Sequence, residues 1–181
     1  MDRATTGRAG RLDTVDRDRE PSDEDVLRRV VVLCAEIGAR AAGCWRVDPE
    51  RERLIQVAFV PGAGLDPEVA RAFAEATREV SIRQEGLGIV VAALSGEPAV
   101  SRVEALSPDS GSGRWLRAFG ADRSIAVPVL GPDPGTRIVC SVAVSRPSVD
   151  DVWIARRIRE VMALPAAAPG GAEAGEEPAG P

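Results

Sequence analysis

The sequence predicts an α+β fold in which amphipathic helices cover a sheet built largely from hairpins. Two pairs of strand-like segments are each joined by a turn rich in Pro, Gly and acidic residues, as β-hairpins are. Around these pairs, apolar residues recur every three or four positions, which is the period of a helix with one buried face. Neither a single hairpin nor a single amphipathic helix can bury its apolar side alone, so we expect the helices to pack on the sheet.

Length and composition suit one globular domain with unstructured ends. The chain has 181 residues, of which 44% are hydrophobic and 28% are charged. No apolar run approaches the roughly 18 residues of a membrane span, and residues 1–20 lack an apolar signal core. We therefore expect a cytoplasmic protein without a membrane segment. Residues 1–21 are predicted to be a disordered charged arm, 22–165 the domain, and 166–181 a disordered Ala/Gly/Pro/Glu tail.

The charges and the missing histidine exclude several classes of function. The formal net charge is −5, and the basic residues, all of them arginine, are scattered along the chain. Nucleic-acid binding needs a concentrated positive face, so we do not expect it. The chain has no His, the commonest general base and metal ligand. Three scattered cysteines without His also argue against a zinc site, so no metal ligands are predicted.

The first predicted helix begins at Ser22, whose side chain can cap the amide groups of the residues that follow. Acidic residues at 23–25 then suit the positive end of the helix dipole. Its apolar stripe contains Val26, Val30, Leu33 or Cys34, and Ile37. This helix is expected to end between Gly38 and Gly43.

A hairpin and a second helix are predicted next. The two strands and their turn cover residues 43–47, 54–60 and 48–52. Asp66 and Pro67 mark the start of the helix. Its apolar side is expected to contain Val69, Phe73, Ala76 and Val80.

Short elements fill the middle of the chain. We predict a short helix at 88–95, an extended segment at 98–103, a polar surface loop at 104–113 and one or two helical turns at 114–119.

A second hairpin and a last helix complete the domain. The strands and the turn between them cover residues 124–130, 137–145 and 131–135. Ser148 and Asp151 form a predicted capping box for the last helix. Its apolar residues are Val152, Ile154, Ile158, Val161 and Met162, and it is expected to run to about Leu164, before Pro165.

Three short phrases connect this order of elements to a known family. Gly86 and Gly88 precede a small-residue helix that closes in Gly96-Glu97-Pro98; Arg123-Ser124 precedes a Val127-Pro128 strand; and Asp150-Asp151 precedes the last helix. With these phrases, residues 22–164 resemble a GAF domain. The resemblance implies a PAS-related fold with a central antiparallel sheet of five or six strands and helices on both faces. The first and last helices would share one face, and the others would cover a ligand pocket on the opposite face.

The resemblance leaves the ligand open and suggests where it binds. Haem- and bilin-binding GAF domains use a His, and the cyclic-nucleotide type uses a Lys, neither of which this chain contains. The cofactor is therefore unknown. Residues expected at the ligand are Arg46, Phe73, Trp115, Phe119, Arg123 and Ser124, with Trp45 as a further aromatic candidate.

Each candidate also has a purely structural interpretation. Arg46 interrupts an apolar strand, so it either meets an anion or carboxylate or faces water from an edge strand. Arg123 and Ser124 either hold an anionic ligand or stabilise a helix-to-strand turn. The aromatic residues either stack on a flat ligand or anchor the core. Ser141 and Ser145 are interpreted as ordinary strand positions.

The cysteines raise one enzymatic alternative. Free methionine-R-sulfoxide reductase is similar to a bare GAF domain with three cysteines, which act around the Gly-x-Gly phrase. Here residues 81–95 contain no Cys, and we expect Cys34, Cys44 and Cys140 to be core residues. Cys44 and Cys140 could still lie on neighbouring strands as a redox pair.

Together these observations predict a stand-alone, non-catalytic sensory or regulatory module. It would bind a small molecule or a partner protein and signal through its terminal helices, which GAF proteins commonly use to form homodimers. Trp153, beside the apolar stripe of the last helix, would lie near that interface. The alternatives are the thiol-dependent reductase and a degenerate GAF domain that acts only as a dimerisation scaffold.

Overall fold

The structure, a computed structural model, contains a six-stranded sheet with helices on both faces. It describes residues 22–84, 86–130, 137–145 and 149–163. The helices are α1 (Asp23–Ile37), α2 (Pro67–Ala76), α3 (Gly88–Ser95), α4 (Gly111–Phe119) and α5 (Asp151–Ala163). The strands are β1 (Ala41–Asp48), β2 (Arg53–Pro61), β3 (Glu79–Ser81), β4 (Ala99–Arg102), β5 (Arg123–Leu130) and β6 (Arg137–Val144). A 3₁₀ turn at Val103–Ala105 follows β4.

The sheet confirms the predicted α+β architecture. Its strand order is β3-β2-β1-β6-β5-β4, and every neighbouring pair is antiparallel. The two predicted hairpins, β1-β2 and β5-β6, meet through β1 and β6 at the centre of the sheet. None of the helices in the described part of the chain has the length and apolar character needed to cross a membrane.

The start of α1 agrees with the predicted cap. The Ser22 hydroxyl accepts a hydrogen bond from the Asp25 amide at 3.2 Å, and the Asp25 carboxylate accepts one from the Ser22 amide at 3.3 Å. The side-chain hydrogen bond from Ser22 lowers the pKa of the Asp25 carboxyl. Gly38, at φ 64°, ends the helix in the left-handed conformation that glycine adopts easily.

Two boundaries differ from the prediction. α2 ends at Ala76, where the Thr77 hydroxyl donates to the Phe73 carbonyl. Val80 therefore lies on the short edge strand β3, opposite Leu54, and pairing with β2 outweighs its helical spacing. α4 begins earlier than predicted, at Gly111, because Ser110 caps it. The predicted arm, tail, 131–135 turn and Ser148 cap lie outside the described residues.

The helices divide between the two faces of the sheet as expected. α1 packs on β1 and β2, α5 packs on β5, and the two helices contact each other. Apolar residues of both helices form one core with the sheet side chains beneath them. On the opposite face, α3 packs on β4, β5 and β6, while α2 and α4 contact each other above the central strands.

A buried ion pair attaches α5 to the sheet. Arg123, at the start of β5, is only 3% exposed, and its Nε donates to Asp151 Oδ1 at 2.5 Å. Arg123 also donates to the Val149 carbonyl, and Arg102 of β4 donates to the second oxygen of Asp151. Because a buried guanidinium needs a carboxylate partner, Asp151 fixes the first turn of α5 over β4 and β5.

Replacing Asp151 tests this attachment. Asp151→Ala leaves the Arg123 guanidinium buried without its carboxylate, so we expect the free energy of unfolding in urea to fall by about 3 kcal/mol. The control is Arg156→Ala, which removes an exposed ion pair with Glu160 and is expected to cost less than about 1 kcal/mol. Equal losses in the two variants would contradict the proposed role of Asp151.

Candidate functional site

A cavity of about 70 Å³ lies between the sheet and the helices on the α2–α4 side. Its lining contains five aromatic residues, and we call it the aromatic cavity. The lining residues are Ala41, Ala42, Gly43, Trp45, Phe59, Phe73, Thr77, Leu87, Gly88, Ile89, Ser112, Trp115, Leu116, Phe119, Ser124, Ser141 and Ala143. The cavity therefore lies where the resemblance to GAF domains predicts a ligand pocket.

Alternate residues of the central strands form the floor of the cavity. Gly43 and Trp45 of β1 lie on this face, as does Ser141 of β6, which pairs with Gly43. A Cβ at Gly43 would lie 2.6 Å from Cη2 of Trp45. The glycine therefore leaves the space in which the Trp45 indole lies across the floor. The indole is held there by its Nε1, which donates to the Thr77 carbonyl at 2.9 Å.

Phe73 of α2 is the centre of the aromatic cluster. Its ring centroid lies 4.9 Å from that of Phe59, 5.0 Å from that of Phe119 and 5.2 Å from that of Trp115. The contacts with Trp115 and Phe119 are edge-to-face, which the ring quadrupoles favour by about 0.5–1.5 kcal/mol for each pair. This packing joins α2 and α4 into one roof and fills much of the space beneath it.

The Gly86–Gly88 turn closes one side of the cavity. The Ser112 hydroxyl of α4 donates to the Gly86 carbonyl at 3.2 Å, and Gly86 has a φ of 95° that favours glycine. Leu87 packs so closely against α4 that a Cβ at Gly111 would lie 2.9 Å from Leu87 Cδ2. The Gly-x-Gly phrase therefore shapes the wall of the cavity.

None of the described residues that line the cavity carries a charge, and two of the four hydroxyl side chains in the lining already have partners. The Thr77 hydroxyl donates to the Phe73 carbonyl and accepts from the Gln56 amide. Ser112 is bonded to the Gly86 carbonyl. The Ser124 and Ser141 hydroxyls, by contrast, form no hydrogen bond with any residue in the described part of the chain. These are the two hydroxyls of the lining that remain available to a ligand.

Four of the six predicted ligand-binding residues line the aromatic cavity. They are Phe73, Trp115, Phe119 and Ser124. The structure brings them together from α2, α4 and β5, and contact of each with a ligand stays a prediction.

Arg46 and Arg123 lie outside the lining of the aromatic cavity, so the structure does not bring them together with the other four candidates, and contact of either with a ligand stays a prediction. Arg46 is on β1, a central strand, so the edge-strand interpretation is wrong; its Nη2 lies 2.5 Å from the carboxylate of Asp23 in α1. Arg123 is bonded to Asp151 and Val149 at the start of α5. Both arginines therefore meet groups of this chain, which sequence spacing alone does not reveal.

Sequence reasoning missed Phe59, Ser112 and Ser141. Ser141 was interpreted as an ordinary strand position, but it lies on the cavity floor opposite Gly43. The signal was its alternation with Ala143 along β6, which becomes informative only once the partner strand is known. Ser112 had no signal beyond its position in a Ser-rich segment.

The three cysteines are buried on the opposite side of the sheet from the cavity. Cys44 and Cys140 face each other on β1 and β6 and form a disulfide, in the core beneath α1 and α5. They are therefore the neighbouring-strand pair that the sequence left open. Cys34 of α1 belongs to the same core, and burial raises the pKa of its thiol. Among the residues that the structure describes, none that lines the aromatic cavity contains sulfur.

The described residues also contain no group of three or more Cys, Asp or Glu side chains that could hold a metal ion.

No protein-family model matches this sequence, and no curated protein matches it. Solved structures do resemble its fold. The GAF domain of a phosphoenolpyruvate-protein phosphotransferase from Coxiella burnetii matches with a TM-score of 0.54 and 17% identity, over 78% of this chain and 80% of that one. A GAF domain/HD domain protein from Geobacter sulfurreducens matches with a TM-score of 0.54 and 14% identity, over 77% and 88%.

An enzyme is among the similar structures. Free methionine-R-sulfoxide reductase from Neisseria meningitidis, solved in complex with its substrate, matches with a TM-score of 0.50 and 17% identity, over 77% of this chain and 76% of that one. At such identities the likeness concerns the fold and does not extend to activity.

Alkylation of the cysteines checks their arrangement. In the unfolded, unreduced protein we expect one modified cysteine by mass spectrometry, Cys34, and after reduction we expect all three. In the folded protein at about pH 8, Cys34 should react slowly, because burial and the raised pKa keep it a thiol. Three modified cysteines without reductant would show that the disulfide is absent.

Proposed function

We propose that this chain, which has the fold of a GAF domain, is a sensory or regulatory module that binds a small molecule and transmits the event through α1 and α5. The observation that carries this proposal is the position of the aromatic cavity. It lies on one face of β1 and β6, and the two terminal helices pack on the opposite face of the same sheet. A change on one face can therefore reach the other through shared strands.

Neighbouring residues of the central strands provide the connection. Gly43 and Ser141 line the cavity. The residues adjacent to them in the chain, Cys44 and Cys140, lie beneath α1 and α5 and are joined by the disulfide. Because the interior is close-packed, a shift of β1 or β6 on ligand binding requires α1 or α5 to adjust. A ligand with different affinity for the two arrangements would shift their populations.

We further propose that α1 and α5 form a homodimer interface. α1 exposes Leu27 at 42% and Val31 at 48%, and these residues lie one helical turn apart. α5 exposes Val152 at 73% and Trp153 at 38%. Other residues of both helices cover the sheet, so the exposed residues remain available to a second copy or to a signalling partner protein.

The arrangement of sulfur atoms favours a non-catalytic module over a reductase. Thiol chemistry on a bound sulfoxide needs a thiolate facing the ligand, whereas all three cysteines lie on the far side of the sheet from the cavity.

The cytoplasmic location also stays a prediction. A disulfide is uncommon in cytosolic proteins, which makes the location worth measuring.

A dimerisation scaffold without a ligand is the second candidate. It is favoured by the small volume of the cavity and by the aromatic cluster, since together they leave limited space for a bound molecule.

Native mass spectrometry of freshly purified protein separates these candidates. We expect a dimer, and a ligand held tightly enough to survive purification would add a discrete mass that indicates its class. A dimer that stays empty when purified from several growth conditions would favour the scaffold if titration with small uncharged molecules also gives no saturable binding. A monomer at high micromolar concentration would contradict the proposed interface.

Substitutions on α1 test the dimer directly. Leu27→Asp/Val31→Asp places two charges on the proposed interface, so we expect at least about a tenfold rise in the dimer dissociation constant by light scattering. The matched control is Val91→Asp/Leu94→Asp on α3, where the two side chains are 46% and 60% exposed and lie outside the interface. If the control weakens the dimer and the α1 variant does not, the interface lies on the other face of the protein.

A further inference from the structure

We propose that the aromatic cavity selects a small, uncharged and mainly apolar molecule with one hydrogen-bonding oxygen, such as a short-chain ketone or alcohol, and rejects anions. This inference rests on the proposed small-molecule binding and names the chemical class of the ligand. It differs from the anionic ligand that one of the interpretations of Arg46 and Arg123 offers from the sequence.

The lining is the reason to expect an uncharged ligand. None of the seventeen lining residues is acidic or basic. Arg46 and Arg123, for which an anion is one of the sequence interpretations, pair with the carboxylates of Asp23 and Asp151. A carboxylate or phosphate in the cavity would lose its hydration without gaining an opposite charge, so its binding is strongly disfavoured.

The arrangement of Ser124 and Ser141 is the reason to expect one hydrogen-bonding oxygen in the ligand. Ser124 pairs with Ala143 on β6, two residues beyond Ser141, so the two serines lie on the same face of neighbouring strands. Their hydroxyls form no hydrogen bond with the described chain, whereas those of Thr77 and Ser112 do. A hydroxyl donates and accepts, so this pair can bind one carbonyl or hydroxyl oxygen of a ligand.

The cavity volume and the surrounding rings determine the size and the apolar part. The volume of about 70 Å³ is roughly half that of an engineered cavity of about 150 Å³ that binds benzene. By proportion with the six carbons of benzene, it accommodates roughly three non-hydrogen atoms, so a molecule of four, such as acetone or isopropanol, would fill it tightly. Phe73, Trp115 and Phe119 surround this space, and they offer hydrophobic contact to the alkyl groups of the ligand.

Acetone and acetate provide a matched pair of probes, because they have nearly the same shape and differ in charge. We would titrate isotopically labelled full-length protein with acetone, isopropanol and acetate and follow the indole and backbone amide signals by NMR. Acetone and isopropanol should give saturable shifts at Trp45, Gly43 and Ser141, with dissociation constants on the order of millimolar. Acetate should give no saturable shift at these residues.

Serine variants test how the oxygen is held. Ser124→Ala/Ser141→Ala should weaken acetone binding by roughly three- to tenfold, as expected for loss of hydrogen bonds to a neutral group. Ser145→Ala, at an exposed position after β6 and outside the cavity lining, should leave the affinity unchanged. Equal affinities in the two variants would overturn the role of the serine pair.

A tryptophan pair tests the cavity itself. Trp115→Ala removes an indole from the lining, so the enlarged cavity should bind benzene saturably, while Trp153→Ala, on the exposed side of α5, should not. Retained signal dispersion would show that each variant is folded.

The outcomes separate the two proposals. Saturation at the cavity by acetate and not by acetone would overturn the uncharged ligand class and leave small-molecule sensing standing. No saturation by acetone, isopropanol or acetate in the natural protein, together with no benzene binding by the Trp115 variant, would overturn both.

Discussion

The alternation of side chains along the two central strands is the constraint on which the rest of this structure depends. β1 and β6 pair in one antiparallel register, so Gly43 and Ser141 face the cavity while Cys44 and Cys140 face the terminal helices. Because side chains alternate with a period of two, a slip of one residue would exchange the two sets. That register therefore separates the face that borders the aromatic cavity from the face on which α1 and α5 pack.

The distribution of charge follows the same division. Arg123 starts strand β5 and is buried, yet its guanidinium is bonded to Asp151 at the start of α5. Arg46 reaches Asp23 of α1 in a second ion pair, which is more exposed to solvent. These ion pairs join the terminal helices to the sheet, and none of the described residues that line the cavity carries a charge. The interactions that stabilise the fold thus also set the chemistry that the cavity offers.

The aromatic cluster balances packing against binding. Phe73 contacts rings from both the sheet and α4, so its ring occupies space beneath the roof that a smaller side chain would leave to the cavity. Gly43 has the opposite effect. Because it has no side chain, the Trp45 indole can lie across the floor of the cavity without being pushed into the space above. Close packing stabilises the roof, and a volume of about 70 Å³ remains between the roof and the sheet.

Local signals determined the elements of this protein, and tertiary pairing decided its site. The sequence alone predicted α3 at its observed bounds and the cap at Ser22, because glycine placement and capping act over a few residues. The position of Val80 on an edge strand and the bond between Cys44 and Cys140 came only from the tertiary structure. Those cysteines are 96 residues apart, and their meeting depends on strand register, which no local pattern specifies.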